Sequence, residues 1–297
     1  KTPMLADRFP FFQALGFALL NSVWIFGLAW LLFQTLTVRS ASSFPRVRYR
    51  IALLLLGAGL LITTATFTVA FKDSDILSRY ILAGALPSII ILSKPLLPDV
   101  FPYLAFAYLL ALPVEGFRRL RYKGIPKLQG TGDPMEVFLL SKIAELSGQL
   151  GISRKISFAF SDAINSPLTY GFWKPVILFP MALVNNLSLA QTEALLLHEL
   201  AHIRNNDYLT HFVLQAMETL FFFNPFVRKF IRSIALEQEL RSDYLVTSLI
   251  SDKIAYAEAL YRLGAADVEA PLPYTLKASG NEVAVESIEL AHEGLTL

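Results

Sequence analysis

The sequence predicts an α-helical membrane protein that carries a mainly helical α+β domain in its second half. Three observations lead there. Of the 297 residues, 54% are hydrophobic and 17% charged, with a mean hydropathy of +0.50, too apolar for an ordinary soluble domain. The apolar residues gather in the first part of the chain as runs long enough to cross a bilayer. From Gly124 onward the chain is more polar and mixes helical periodicity with short alternating runs. These shifts divide it into an anchor of about three helices over 1–123, a domain over 124–270 and a tail over 271–297 with no assignable role.

Residues 11–36 are almost continuously apolar, and a crossing needs about 20 residues. The run lacks a short apolar core followed by a small-residue cleavage site, so it reads as a retained helix. Arg39, Arg46, Arg48 and Arg50 follow, around Pro45. A second apolar run, 51–71, ends at Lys72-Asp73-Ser74-Asp75. Residues 76–100 are apolar but broken by Pro87, Pro95 and Pro98, with Lys94 and Asp99 among them; this fits an outer loop or re-entrant segment better than a span. A short span over 76–93 is the alternative. The third run, 101–117, is closed by Arg118, Arg119, Arg121 and Lys123. Cytoplasmic loops carry the excess of arginine and lysine, so both arginine-rich segments are expected inside. The N-terminus is then outside, and everything after Lys123 is cytoplasmic.

In the second half, Asp133-Pro134 reads as an N-cap and first helical residue. Residues 136–150 have helical periodicity, 155–160 alternate as a strand, and 176–179 read as another. Asn165-Ser166-Pro167 and Gly171 mark turns between them. Ser188 with Gln191 three residues later is a capping-box pattern that opens the next helix.

That helix contains Leu195-Leu196-Leu197-His198-Glu199-Leu200-Ala201-His202-Ile203-Arg204, an H-E-x-x-H. Histidines at i and i+4 share one helix face, so both imidazoles can reach one metal ion, and the type of motif points to zinc (Zn2+). Glu199 is placed to take a proton from a water as it attacks a carbonyl, with zinc acidifying the water. The chain has no cysteine, so the remaining ligand must be His, Asp or Glu. Geometry narrows the choice. Residues 207–223 form an apolar helix of about 25 Å, and the return from Pro225 to Glu239 covers about 21 Å. A hairpin turning at Asn224-Pro225 therefore brings Glu239 back beside His198 and His202. A straight span through this region would strand it across the membrane, so the hairpin over 206–250 is expected to dip into or lie against the bilayer. Glu239 is preferred to Glu237 because Asp243 lies one turn later on the same face, where it can hydrogen-bond a metal-bound histidine. Glu237 is expected to face solvent.

Together, the run from His198 to Tyr208, Phe222-Phe223-Asn224-Pro225 and Glu239-Leu240-Arg241-Ser242-Asp243 resemble the BlaR/MecR-type antirepressor metallopeptidases. The stretch from Gly171 to Pro180 matches the segment these proteins carry before the metal helix, and the helices before it match their layout. The resemblance covers most of residues 1–250. It implies a zincin-like metallopeptidase domain of the gluzincin kind, in a multi-pass protein of the bacterial inner membrane with its active site toward the cytoplasm. His198, His202 and Glu239 would hold the metal, Glu199 would be the catalytic base and Asp243 the supporting carboxylate. The expected substrate is a protein or peptide, a cytoplasmic repressor or the chain itself. The sequence contains no S-x-x-K acylation motif, so the inducing signal is not carried over.

An H-E-x-x-H arises by chance in roughly one in a hundred chains of this size, so the reading rests on the whole constellation. Arg241 and Tyr244 are candidates for stabilising an oxyanion or touching substrate. His211 is expected to be structural or to face a partner, and His292 to be a tail residue. Glu218 and Gln215, unusual in an apolar helix, should face the protein interior. The strand at 175–179 could take a substrate peptide by β-addition, or be an ordinary core strand. A net charge of +2 gives no nucleic-acid signature; the bilayer is the expected partner, and homo-oligomerisation stays open. Two other functions fit the same residues: a membrane quality-control protease of the HtpX type, and a signalling or scaffold protein whose proteolysis is secondary.

Overall fold

A computed structural model describes residues 10–38, 45–72, 97–121, 134–171, 173–184 and 186–269. The segment 76–96 and the tail 271–297 lie outside these residues, as do His292 and the expected turn around Gly130. The chain divides into two compact units, Lys1–Arg121 with Ala216–Ser233, and Tyr122–Gln215 with Ile234–Leu297. The tip of the predicted hairpin is therefore grouped with the anchor, and its two bases with the domain that carries the motif.

The anchor contains α1 (Pro10–Val38), α2 (Pro45–Lys72) and α3 (Leu97–Arg121). All three are long and apolar enough to cross a membrane. In lipid no water is present to satisfy polar groups, so hydroxyls must find partners locally. Thr63, Thr64, Thr66 and Thr68 of α2 each donate to a carbonyl of their own helix at 2.8–2.9 Å. Glycines let the helices approach. A Cβ at Gly16 would fall against the Phe101 carbonyl of α3, and one at Gly59 against the Phe26 ring of α1.

The second unit is built around α6 (Leu189–Asn205), which the Ser188–Gln191 capping box opens as expected, with both reciprocal bonds present. It packs against α4 (Pro134–Gln149), α9 (Lys253–Glu269) and a small sheet. The sheet has β1 (Ser157–Ser161), β2 (Leu168–Tyr170) and β3 (Val176–Pro180) in the order β1-β3-β2, with the short α5 (Met181–Val184) following β3. β1 pairs parallel to β3 and β2 antiparallel to it. The central strand is thus β3, so the segment at 175–179 has no open edge for a substrate strand; the edge strand on that side is β2, where turn signals alone are legible in the sequence. Leu195, Leu196, Leu197, Leu200 and Ile203 of α6 are buried with Ile177 and Phe179 of β3 and Tyr256 of α9 in one core. A helix whose apolar residues occupy nearly all sides reads as leucine-rich because it is covered on several faces.

The hairpin is α7 (Asp207–Leu220) and α8 (Pro225–Leu249). α7 ends earlier than 223, because residues 221–223 form the turn. Fully buried Asn224 closes it: its Oδ1 accepts from the Phe226 and Val227 amides at 3.0 and 3.4 Å, and its Nδ2 donates to the Ser22 carbonyl at 3.1 Å. Glu218 faces inward as expected and pairs with Arg119 at 2.7 Å; Arg119 also holds Glu115 at 2.8 Å. Gln215 is half-buried and His211 is exposed.

Candidate metal centre

α6 and α8 assemble the site. His198 and His202, one turn apart on α6, present their Nε2 atoms 3.0 Å from each other. From α8, Glu239 Oε2 lies 3.4 Å from His198 Nε2 and 3.6 Å from His202 Nε2. Such a cluster could hold a metal ion. Around a tetrahedral zinc with bonds near 2.0–2.1 Å, neighbouring donors stand about 3.3 Å apart. The triangle defined by these three distances has a circumscribed radius of about 1.9 Å, so a single ion slightly off its plane reaches all three donors at bonding distance. The residues fit zinc.

The far side of each imidazole is tied down. His198 Nδ1 lies 3.0 Å from Asp243 Oδ1 and 2.8 Å from the Tyr256 hydroxyl. His202 Nδ1 lies 2.9 Å from Asp207 Oδ2. A carboxylate there accepts the Nδ1 proton and leaves Nε2 with the lone pair that a metal needs. Asp207 is itself gripped by Gln238 Nε2 at 3.1 Å and by the Arg241 guanidinium. Glu199, the residue after the first histidine, is buried and accepts a hydrogen bond from Thr169 Oγ1 of β2 at 2.7 Å.

The electrostatics favour positive charge at this point. Burial opposes charging of His198, but its hydrogen bonds to Asp243 and Glu239 outweigh that and lift its pKa to about 9. His202 is raised well above the ordinary histidine value: burial lowers it, and the Glu239 charge and the Asp207 bond override the burial. Glu239 moves the other way. Its burial would raise the pKa, yet the two neighbouring histidines hold it well below the usual carboxylate range. Burial and the Asp243 charge push the Tyr256 hydroxyl well above its ordinary value. The same carboxylates that favour charged imidazoles here would favour a divalent cation.

The structure brings His198, His202, Glu199, Glu239 and Asp243 together around one point. It places Arg241 on Asp207, and Tyr244 at 56% exposure. Glu237, expected to face solvent, is only 1% exposed, because α8 is packed on that face as well. Asp207, Tyr256 and Thr169 are additional members of the site. The sequence carries a faint signal for Asp207, an acid at the first position of the helix that follows the motif. Tyr256 lies beyond the last motif in an unremarkable apolar helix, and Thr169 in an apparent turn; neither has a local signal.

A helical membrane protein with a metallopeptidase-type donor set is the class that fold and site define. More particularly, the chain belongs to the BlaR1 peptidase M56 family, whose model matches residues 105–285. Residues of this chain are 27% identical over 126 positions to the regulatory protein BlaR1 of Bacillus licheniformis, covering 42% of this chain and 21% of that protein. The match to regulatory protein BlaR1 of Staphylococcus aureus is 28% over 102 residues, covering 34% of this chain and 17% of the relative. The methicillin resistance mecR1 protein of Staphylococcus epidermidis is 28% identical over 72 residues, covering 24% and 12%. The aligned stretches thus take in about a fifth or less of each relative's length.

Proposed function

We propose that this chain is a membrane-embedded zinc metalloendopeptidase that cleaves a protein substrate at the cytoplasmic face, in regulatory proteolysis. The observation that carries it is the donor triangle of His198, His202 and Glu239 with Glu199 beside it. The printed names of the relatives, regulatory and resistance proteins, support a regulatory substrate such as a repressor, or the chain itself. The arginine-rich ends of the apolar runs support the cytoplasmic placement.

Zinc held by these three residues supplies Lewis acidity toward a water and a peptide carbonyl. The remaining work belongs to the chain. Glu199 takes the proton of the attacking water and passes it to the leaving amine, and Thr169 holds its carboxylate in one orientation. Asp243 and Asp207 keep the two imidazoles in the tautomer that exposes Nε2. Arg241, paired with Asp207, acts on His202 through that carboxylate, and the exposure of Tyr244 leaves it the candidate of the two for touching substrate.

Replacing Glu199→Gln should abolish proteolysis while the zinc content of the purified protein stays unchanged; a fully active variant would overturn the mechanism. Glu239→Ala should lower the zinc content, and unchanged stoichiometry would exclude Glu239 as a ligand. A Glu199→Gln strain that still supports the cellular response would point to the scaffold reading instead.

A further inference from the structure

We infer that the start of α8 carries a binding site for anionic phospholipid headgroups, formed by Arg228, Lys229 and Arg232 on an aromatic platform. It rests on the membrane reading above and is independent of the catalytic one. The depth of this cluster can be read along α1. Asn224, at the hairpin turn, bonds the Ser22 carbonyl near the middle of α1. Phe230, little more than one turn into α8, packs its ring 5.2 Å from Trp30 and 5.7 Å from Phe33. Six residues of α8 separate Asn224 from Phe230, so at helical rise the turn lies about 9 Å deeper than Phe230. Lys229 and Arg232 flank Phe230 within about two turns of the end of α1 at Val38, and Arg228 lies nearer the hairpin turn.

Three features at that level suit a headgroup. Arg228, Lys229 and Arg232 are all exposed, and among the described residues no carboxylate pairs with them. Lys229 Nζ sits 5.9 Å from the Trp30 ring centre and 5.5 Å from that of Phe226, so the ammonium rests on aromatic faces with its remaining donors outward. Arg228 bonds the Phe222 carbonyl and is held near the turn. Around them the surface is apolar and exposed: Leu31, Leu32 and Leu36 of α1 are 60%, 48% and 44% exposed. Arg46 and Arg50 are exposed on the first turns of α2, which begins where α1 ends. A row of cations above an apolar, aromatic-edged surface is complementary to acyl chains topped by negative headgroups. An acidic protein would find the charge but not a use for the leucines beside it.

The test uses the full chain purified into nanodiscs of mixed phosphatidylglycerol and phosphatidylcholine. Lipids retained on the protein are counted by native mass spectrometry. Each surface cation contributes attraction worth about fivefold in partitioning, so the three together should enrich phosphatidylglycerol by roughly a hundredfold. Arg228→Gln with Lys229→Gln and Arg232→Gln should remove most of that enrichment. The charge-preserving set Arg228→Lys with Arg232→Lys should keep it, which separates charge from folding. Glu199→Gln should retain it in full, so failure of the catalytic reading leaves this result intact. Equal retention of the two lipids by the wild-type protein would overturn the site. So would a glutamine variant that keeps the lipid preference while losing affinity for an acidic peptide.

Discussion

The Tyr256 hydroxyl donates to Asp243 Oδ1 at 2.6 Å, and it stands 2.8 Å from His198 Nδ1. A tyrosine from the last described helix thus closes a three-membered network with the carboxylate that orients the first zinc-ligand candidate. Without the hydroxyl, Asp243 loses one donor and His198 one of the groups that fix its ring. Tyr256→Phe keeps the buried ring and should weaken zinc binding about tenfold, the low end of what outer partners of a ligand contribute. Competition with a chelator measures this, with circular dichroism as the check on folding. Unchanged affinity would mean that Asp243 alone orients the imidazole.

Thr169 reaches Glu199 from the edge strand β2 and donates to its carboxylate at 2.7 Å. The bond holds the proposed base without touching the metal donors. Thr169→Val, similar in shape, should therefore leave zinc content unchanged and lower kcat by about fivefold, the effect of one ordinary hydrogen bond. KM should stay close to the wild-type value. A change confined to KM would assign Thr169 to substrate binding instead.

The pH response follows from the same carboxylates. In the metal-free protein His198 has a folded pKa of about 9, above its ordinary 6.5. Its protonation therefore stabilises the fold fully below the unfolded pKa, and the contribution is lost as pH rises through the folded value. Zinc requires neutral imidazoles, so its uptake releases these protons and its affinity grows over the same window. The gap in melting temperature between zinc-loaded and chelator-treated protein should widen from pH 6.5 to pH 9. A gap that narrows with pH would show that the histidines are not the groups displaced.

Much of this architecture is legible in the residues. The three long apolar helices follow from the length of their apolar runs, and α6 from its capping box and the i, i+4 histidines. Glu239 is reachable by arithmetic because two straight helices of known rise share one turn. What stays hidden depends on contacts distant in sequence. The edge strand β2 is three residues long, too short for alternation to be read, and its pairing with β3 defines it. Tyr256 lies 58 positions from His198 and meets it only because α9 packs against α6. Glu237 reads as solvent-facing because it points away from the face shared by Glu239 and Asp243, whereas α8 is buried on more than one face.

Asn224 offers a direct test of how the hairpin is held. Its side chain does two separable things: Oδ1 caps α8 by accepting from the Phe226 and Val227 amides, and Nδ2 ties the turn to the Ser22 carbonyl. Both act in a fully buried position, where an unmet amide or carbonyl is costly. Asn224→Ala removes both and should destabilise the protein by about 2 kcal/mol, the sum of a lost cap and a lost tether. Asn224→Ser can still cap but is too short to reach Ser22, so it should recover roughly half of that loss. Thermal melting in nanodiscs orders the three proteins: wild type, then serine, then alanine. If serine and alanine melt together below wild type, the tether to α1 holds the turn and the cap adds nothing. If all three coincide, neither bond holds the turn, and the aromatic contacts of Phe221 with Phe26 and of Phe222 and Phe223 with Tyr108 are what keep the hairpin in place.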